Sequence, residues 1–129
     1  MNKQKIEEIK KEVERQLSRF SDLKEFTIGK AKDCQDRFEA HYRPRGYQSY
    51  IELAYGSPQA ISEGESLLIA YFQNHPKWGS KCANEKGGSA GNENATYLYV
   101  TTKCKMRAIE DLYDELMQDE WKPINLDEL

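Results

Sequence analysis

Two basic side chains, Arg37 and His41, are four residues apart in a segment that the sequence predicts to be helical. Residues i and i+4 of a helix lie on the same face, so the guanidinium and the imidazole would project side by side. A planar guanidinium can bind two oxygens of a phosphate, and an imidazole can exchange a proton near neutral pH. The pair therefore predicts chemistry on a phosphate group.

Three further residues could take part in the same chemistry. Lys30 ends a predicted strand just before this helix and would add a second positive charge at the phosphate. Glu65 lies among apolar residues of a later helix, where an unpaired carboxylate is costly, so it would either bind a divalent metal ion or pair with an Arg or Lys. Asn84 precedes Gly87-Gly88, in a segment whose Asn and Gly residues are also typical of a flexible loop.

Arginine, histidine, glutamate and asparagine in this order resemble the GIY-YIG endonuclease family, over roughly residues 25–91. The resemblance implies a small enzyme, a nuclease, that hydrolyses phosphodiester bonds in DNA. It implies that Arg37 contacts the scissile phosphate and that Glu65 holds the catalytic Mg²⁺ or Mn²⁺. It also implies that the side chain of Asn84 orients the site by hydrogen bonds.

The chain differs from the family at both signature tripeptides. Thr27-Ile28-Gly29 stands where the family has Tyr-Ile-Gly, and no Gly-Ile-Tyr tripeptide occurs in the sequence. Either the site is degenerate, or a late strand carrying Tyr97 and Tyr99 fills the vacant place in the sheet, as in a circular permutation. The second case would return a phenol to the site. Tyr97, Tyr99, Tyr47 or His41 would then accept the proton of the attacking water.

The charge is unevenly distributed along the chain. Residues 110–129 carry eight acidic side chains and one basic side chain, a net charge of −7, whereas the whole chain has −3, so the other 109 residues carry +4. A mildly basic body is compatible with phosphate contacts. The residues expected to contact the substrate are Lys30, Arg43, Arg45 and Asn84.

Periodicity and turn residues predict seven elements along the chain. They are a helix over 3–20, a strand over 25–29, a helix over 34–42, a strand over 50–55, a helix over 58–74, a strand over 96–101 and a C-terminal helix from Met106 to Met117. The order α-β-α-β-α-β-α predicts a single α+β domain over residues 1–129. Its small, mainly antiparallel sheet of three strands would be flanked by helices, with amphipathic helices added at both ends.

The composition indicates the compartment. No apolar run approaches the roughly 20 residues of a membrane span, and the amino terminus lacks the apolar core of a secretory signal. Three cysteines at irregular spacing argue against a disulfide framework. We therefore expect a cytoplasmic protein without a membrane partner.

Two other functions fit the same sequence. The first is a catalytically inactive protein that keeps the GIY-YIG-like scaffold and binds a nucleotide, a nucleic acid or another protein, for example a phage-encoded inhibitor of host defence. The second is a helical interaction module built on the two terminal helices. The second alternative predicts no metal binding and no clustering of Arg37, His41, Glu65 and Asn84.

Overall fold

In the computed structural model of the chain, residues 2–84, 94–105 and 121–128 are described. They form three α-helices and a four-stranded mixed sheet, which confirms the predicted α+β class. The helices are α1 (Lys3–Ser18), α2 (Cys34–Arg37) and α3 (Pro58–Gln73). The strands are β1 (Leu23–Ala31), β2 (Ser49–Tyr55), β3 (Tyr97–Cys104) and β4 (Ile124–Asn125). The predicted C-terminal helix lies outside the described residues, as do Gly87 and Gly88.

Polar side chains fix where the helices begin. The Asp33 carboxylate accepts a hydrogen bond from the Asp36 N–H at the start of α2. The Ser57 hydroxyl accepts from the Ala60 N–H at the start of α3, and Pro58 occupies the first turn. Both caps satisfy N–H groups that have no partner within the helix. A π-helical turn (Phe38–Tyr42) and a 3₁₀ turn (Arg43–Arg45) continue from α2, so the predicted helix over 34–42 is not a regular α-helix.

The strand order in the sheet is β1-β3-β2-β4. β3 is antiparallel to both β1 and β2, with Ile28 opposite Val100 and Gly29 opposite Tyr99. This pairing confirms the prediction that the late strand lies beside the strand carrying Gly29. The prediction of three strands is wrong by one, because two residues of β4 pair in parallel with β2. Two residues are too short to show an alternating pattern in the sequence.

Two layers of side chains cover the two faces of the sheet. The larger cluster joins α1 and α3 to the face that carries Phe26, Ile28 and Leu98. The smaller cluster covers the other face and includes Tyr99, Cys34 and Phe38, among other residues of the α2 region. Successive side chains of a strand point to opposite faces, which is why Leu98 and Tyr99 belong to different clusters. Among the described helices, none is long and apolar enough to cross a membrane.

Candidate active site

A cavity of about 440 Å³ opens where β1, the α2 region and residues 83–84 meet. Within the described sheet, β1 is an edge strand. Residues 82–84 run along its outer edge: Phe26 and Cys82 form a parallel bridge, and the Ala83 N–H donates to the Phe26 carbonyl at 2.8 Å. The cavity therefore lies along this edge of β1.

The predicted Arg37 and His41 both line this cavity. Asp33 caps the helix that carries Arg37, and the π-helical turn that follows carries His41. The imidazole packs edge-on against Tyr42, with ring centroids 5.3 Å apart. Lys30, Arg45 and Lys103 line the same cavity, so four basic side chains and one imidazole surround it. Such a concentration of positive charge favours an anionic ligand.

Tyr99 returns a phenol to the site, as the permuted arrangement predicted. Its hydroxyl donates to the Tyr42 hydroxyl at 2.9 Å. Burial is the largest cause that raises the pKa of Tyr99 above its usual range, and the neighbouring Tyr42 adds to it, while the nearby Arg37 opposes the shift. Tyr99 is therefore a neutral phenol that lies beside Arg37 in the cavity.

Gly29 is needed because Tyr99 crosses directly over it. A Cβ atom built on Gly29 would overlap the hydroxyl oxygen and the adjacent ring carbon of Tyr99. The backbone of β1 at Gly29 thus forms the floor on which the phenol lies. This packing explains the glycine in Ile28-Gly29-Lys30 without any unusual backbone angle.

Asn84 closes the edge of β1 with its side chain. Its Oδ1 accepts from the Ile28 N–H at 2.9 Å, and its Nδ2 donates to the Ile28 carbonyl at 2.6 Å. The carboxamide therefore satisfies both backbone groups of Ile28, as a neighbouring strand would. Asn84 also lines the cavity, and its orienting role in the site stays a prediction.

A second phenol, Tyr47, enters the cavity from the segment before β2. Its hydroxyl donates to Glu25 Oε2 at 2.8 Å and lies 2.9 Å from the Thr27 hydroxyl. Lys103 Nζ lies 3.9 Å from Glu25 Oε1 and donates to the Arg45 carbonyl at 2.8 Å. Tyr47, Lys103 and Glu25 therefore lie together at one end of the cavity, where Glu25 supplies a carboxylate.

His41 has a lowered pKa. The first cause is burial, and the positive charges of Arg37 and Arg45 add to it. The cationic imidazolium is therefore disfavoured in the free protein, and a neutral ring faces the cavity near pH 7. A bound anion would offset the two guanidiniums and favour the protonated ring.

Glu65 lies elsewhere. It is buried on α3, with 3% of its surface exposed, in the row of residues that packs against the face of the sheet opposite Tyr99. Within the described residues it does not line the cavity. The part of α3 that contacts a cavity residue lies about one turn before Glu65, at Ser62. There, Lys30 Nζ donates to the Ser62 hydroxyl at 2.9 Å.

The donors around the described cavity do not fit a divalent metal ion. Glu25 is the carboxylate that lines it, and that group is already bonded to Tyr47 and close to Lys103. No group of three or more His, Cys, Asp and Glu side chains suited to a metal occurs among the described residues. The described lining of the cavity therefore does not supply a metal site, and metal binding at Glu65 stays a prediction.

Two predicted site residues, Tyr97 and Arg43, make their contacts outside the cavity. Tyr97 pairs with Tyr55 at a ring-centroid distance of 6.3 Å, at the far end of β3. Arg43 makes two hydrogen bonds to Glu39, at 2.6 and 2.9 Å, and lies over the Phe38 ring. Among the described residues, neither side chain lines the cavity.

Sequence reasoning missed four polar residues of the lining. They are Glu25, Thr27, Tyr42 and Lys103, and the apolar Ile28 and Ala83 complete the set that was not predicted. The period of two along β1 places Glu25 and Thr27 on one face with Gly29, and that signal was available in the sequence. Lys103 is opposite Glu25 in the sheet, which requires the register of β1 and β3.

Comparisons with protein-family models, with curated proteins and with solved structures found no match to this chain. The resemblance to GIY-YIG endonucleases therefore depends on the residues themselves. Three of the four residues that carry it, Arg37, His41 and Asn84, line one cavity. That clustering is not expected of a helical interaction module.

Proposed function

We propose that the protein is a small endonuclease of GIY-YIG type, and that its cavity binds the phosphodiester group to be cleaved. The observation that carries this proposal is the convergence on one cavity of Arg37 and His41 with Asn84 and Tyr99, which come from two later parts of the chain. Each of these side chains has a use in phosphoryl transfer, and three further cations, Lys30, Arg45 and Lys103, line the same cavity.

The basic side chains would bind and stabilise the phosphate. Arg37 lies on α2, whose start is capped by Asp33, so the backbone that carries its guanidinium is in place before the substrate arrives. Arginine donors that are already oriented stabilise the charge of a pentacoordinate phosphorus at little reorganisation cost. Lys30 and Arg45 would contact the neighbouring oxygens of the nucleic-acid backbone.

A second candidate function is binding without cleavage, to a nucleic acid, a nucleotide or a protein. Burial raises the pKa of both Tyr99 and Tyr47 above the usual range, so neither residue is present as the basic phenolate near pH 7. Thr27 also replaces the tyrosine of the family tripeptide. These features favour a scaffold that has kept the phosphate site and lost the reaction.

One experiment separates the two functions. Supercoiled plasmid is incubated with the protein in EDTA, in Mg²⁺ and in Mn²⁺, and binding of a labelled oligonucleotide is measured by anisotropy in parallel. An endonuclease converts the plasmid to nicked circles, and Arg37→Ala lowers this rate by roughly 10²–10³-fold. Arg43→Ala, outside the cavity, is the matched control and should leave the rate unchanged. Oligonucleotide binding without nicking in any condition supports the second function.

The same assay tests the predicted metal. If Mg²⁺ or Mn²⁺ is required and Glu65 binds it, Glu65→Gln abolishes nicking, and metal raises the melting temperature of the wild type only. If Glu65 is instead a structural partner within the core, Glu65→Gln lowers the melting temperature with and without metal. Oligonucleotide affinity of the variant shows whether the cavity itself is intact.

A further inference from the structure

Three phenols line the cavity, and their hydrogen bonds differ. Tyr99 donates to another phenol, that of Tyr42. Tyr47 donates to Glu25 Oε2 at 2.8 Å. Among the described residues, Tyr47 is therefore the phenol of the cavity that donates its hydrogen bond to a carboxylate. A proton can leave a phenol toward a carboxylate more readily than toward a neutral hydroxyl.

Thr27 leaves the Tyr47 oxygen ready for one more hydrogen bond. The Tyr47 proton is directed at Glu25, so the Thr27 hydroxyl, 2.9 Å away, is the donor in their contact. A phenol oxygen has two acceptor positions, and Thr27 fills one of them. The second position can accept a hydrogen bond from a water molecule in the cavity.

We propose that Tyr47 and Glu25 form a proton relay for the water that attacks the phosphodiester, an inference that rests on the proposed endonuclease function. As the water oxygen bonds to phosphorus, one water O–H bond breaks and its proton passes to the Tyr47 oxygen. The Tyr47 proton passes to Glu25. The bond from phosphorus to the leaving oxygen breaks, and that oxygen takes a proton from solvent. Glu25 then returns its proton to solvent.

The electrostatics of the cavity favour this relay over proton transfer to His41. Arg37 and Arg45 lower the pKa of His41 in addition to the effect of burial, so a proton on the imidazole is disfavoured. The relay carries the proton away from these guanidiniums to an anion. His41 is then left as a contact to the phosphate.

The environment of Tyr47 fits a phenol that passes on a proton without becoming a stable phenolate. Burial is the largest cause that raises the pKa of Tyr47, and hydrogen bonding to Glu25 raises it further, while Thr27 opposes the shift. The phenol therefore stays protonated between turnovers. Its ring is packed, with 5% of the residue exposed, so the hydroxyl is held in position.

The test uses the full chain with plasmid as substrate. Tyr47→Phe keeps the packed ring and removes the hydroxyl, and we expect the rate constant of cleavage to fall by about 10²–10⁴-fold with little change in Kd. Glu25→Ala should show the same pattern. Tyr50→Phe is the matched control, because Tyr50 packs on the same cluster and, in the described residues, does not line the cavity.

Chemical rescue separates proton transfer from a structural role. Formate can enter the space left by Glu25→Ala and accept the proton, so added formate should restore cleavage in proportion to its concentration. Formate cannot replace the hydroxyl lost in Tyr47→Phe, so that variant should not respond. If Glu25 has only a structural role, formate should not restore cleavage by Glu25→Ala. Thermal melts of each variant show whether the fold is intact.

The outcomes distinguish this inference from the function on which it rests. If the wild type cleaves and Tyr47→Phe retains its rate, or if Glu25→Ala is not rescued by formate, the relay is overturned and the endonuclease function stands. If the wild type binds DNA and cleaves nothing, both are overturned. Should Tyr47→Phe unfold, the folded Glu25→Ala variant and its response to formate decide the question.

Discussion

The Asn84 side chain replaces a neighbouring strand for Ile28: it accepts from the Ile28 N–H at 2.9 Å and donates to the Ile28 carbonyl at 2.6 Å. These bonds join residues 56 positions apart. The Ala83 N–H makes the adjacent backbone bond to Phe26 at 2.8 Å. Asn84 therefore couples the wall of the cavity to the strand that forms its floor.

Replacing Asn84 should affect both stability and the site. Asn84→Ala removes both partners of Ile28 at a partly buried position, and we expect a loss of about 1–3 kcal/mol in the free energy of unfolding. Asn84→Asp should also destabilise, because a carboxylate cannot donate to the Ile28 carbonyl. Urea denaturation measures both. Asn74→Ala is the control, since that exposed amide bonds only to the Ala70 carbonyl within its own helix end; equal losses in Asn84→Ala and the control would contradict the role of Asn84.

Gly29 should tolerate no side chain. In Gly29→Ala the new methyl group overlaps the Tyr99 phenol, so the ring or β1 must shift, which typically costs 1–3 kcal/mol. The displaced phenol would also change the surroundings of the neighbouring Arg37, and substrate affinity should fall. Thermal melts and oligonucleotide anisotropy report the two effects. Gly56→Ala should cost less, because the nearest atom to its new methyl group is 3.2 Å away on the Asp127 side chain.

The cations of the cavity should determine the salt dependence of binding. Arg37→Ala removes one phosphate contact, so the slope of log affinity against log salt should become shallower by about 1. Arg43→Ala should leave that slope unchanged, because Arg43 is bonded to Glu39 outside the cavity. Anisotropy titrations at several salt concentrations measure both slopes. Equal slopes for the wild type and Arg37→Ala would remove Arg37 from the phosphate site.

Binding of a phosphate should strengthen as the pH falls through the range of His41. Burial, Arg37 and Arg45 lower the pKa of His41 from 6.5 in the free protein. A bound phosphate favours the imidazolium, so the complex takes up a proton as the pH falls below about 6.5. The gain in affinity is about tenfold for each pKa unit that the phosphate restores. Oligonucleotide titrations at a series of pH values should show a flatter profile for His41→Gln than for the wild type.

The free protein should respond to pH in the opposite direction. The folded pKa of His41 lies below the unfolded value, so the unfolded chain binds the proton first and the folded state loses stability below about pH 6.5. Urea denaturation of His41→Gln should show a smaller loss over that range. The second histidine, His75, lies outside the cavity and bonds to Glu14 at 2.8 Å. His75→Gln should leave the pH dependence of oligonucleotide binding unchanged.

The sequence predicted α1, α3 and the start of α2 because local physics determines them. Asp33 and Ser57 cap α2 and α3 with short polar side chains, a signal that is local in the sequence. Strong alternation and the missing tripeptide pointed to β3 beside β1, and the pairing of Gly29 with Tyr99 agrees.

The rest of the site depends on information that spacing does not contain. Lys103 meets Glu25 only through the register of two strands that are far apart in the sequence. Tyr47 reaches Thr27 because the turns after α2 return the chain to β1. The sequence did contain a signal against Arg43 as a substrate contact. Glu39 lies four residues before Arg43, and oppositely charged side chains at that spacing meet on the surface of a helix.

The place of β3 in the sheet determines the order in which the fold can assemble. β1 and β2 do not touch each other through their backbones, because β3 lies between them. Leu23 finds its partner only at Cys104. During synthesis, β1 and β2 therefore leave the ribosome before β3, the strand with which both of them pair. Contacts of such long sequence separation slow folding, so the nascent chain keeps open strand edges for an extended time, when it is most exposed to aggregation.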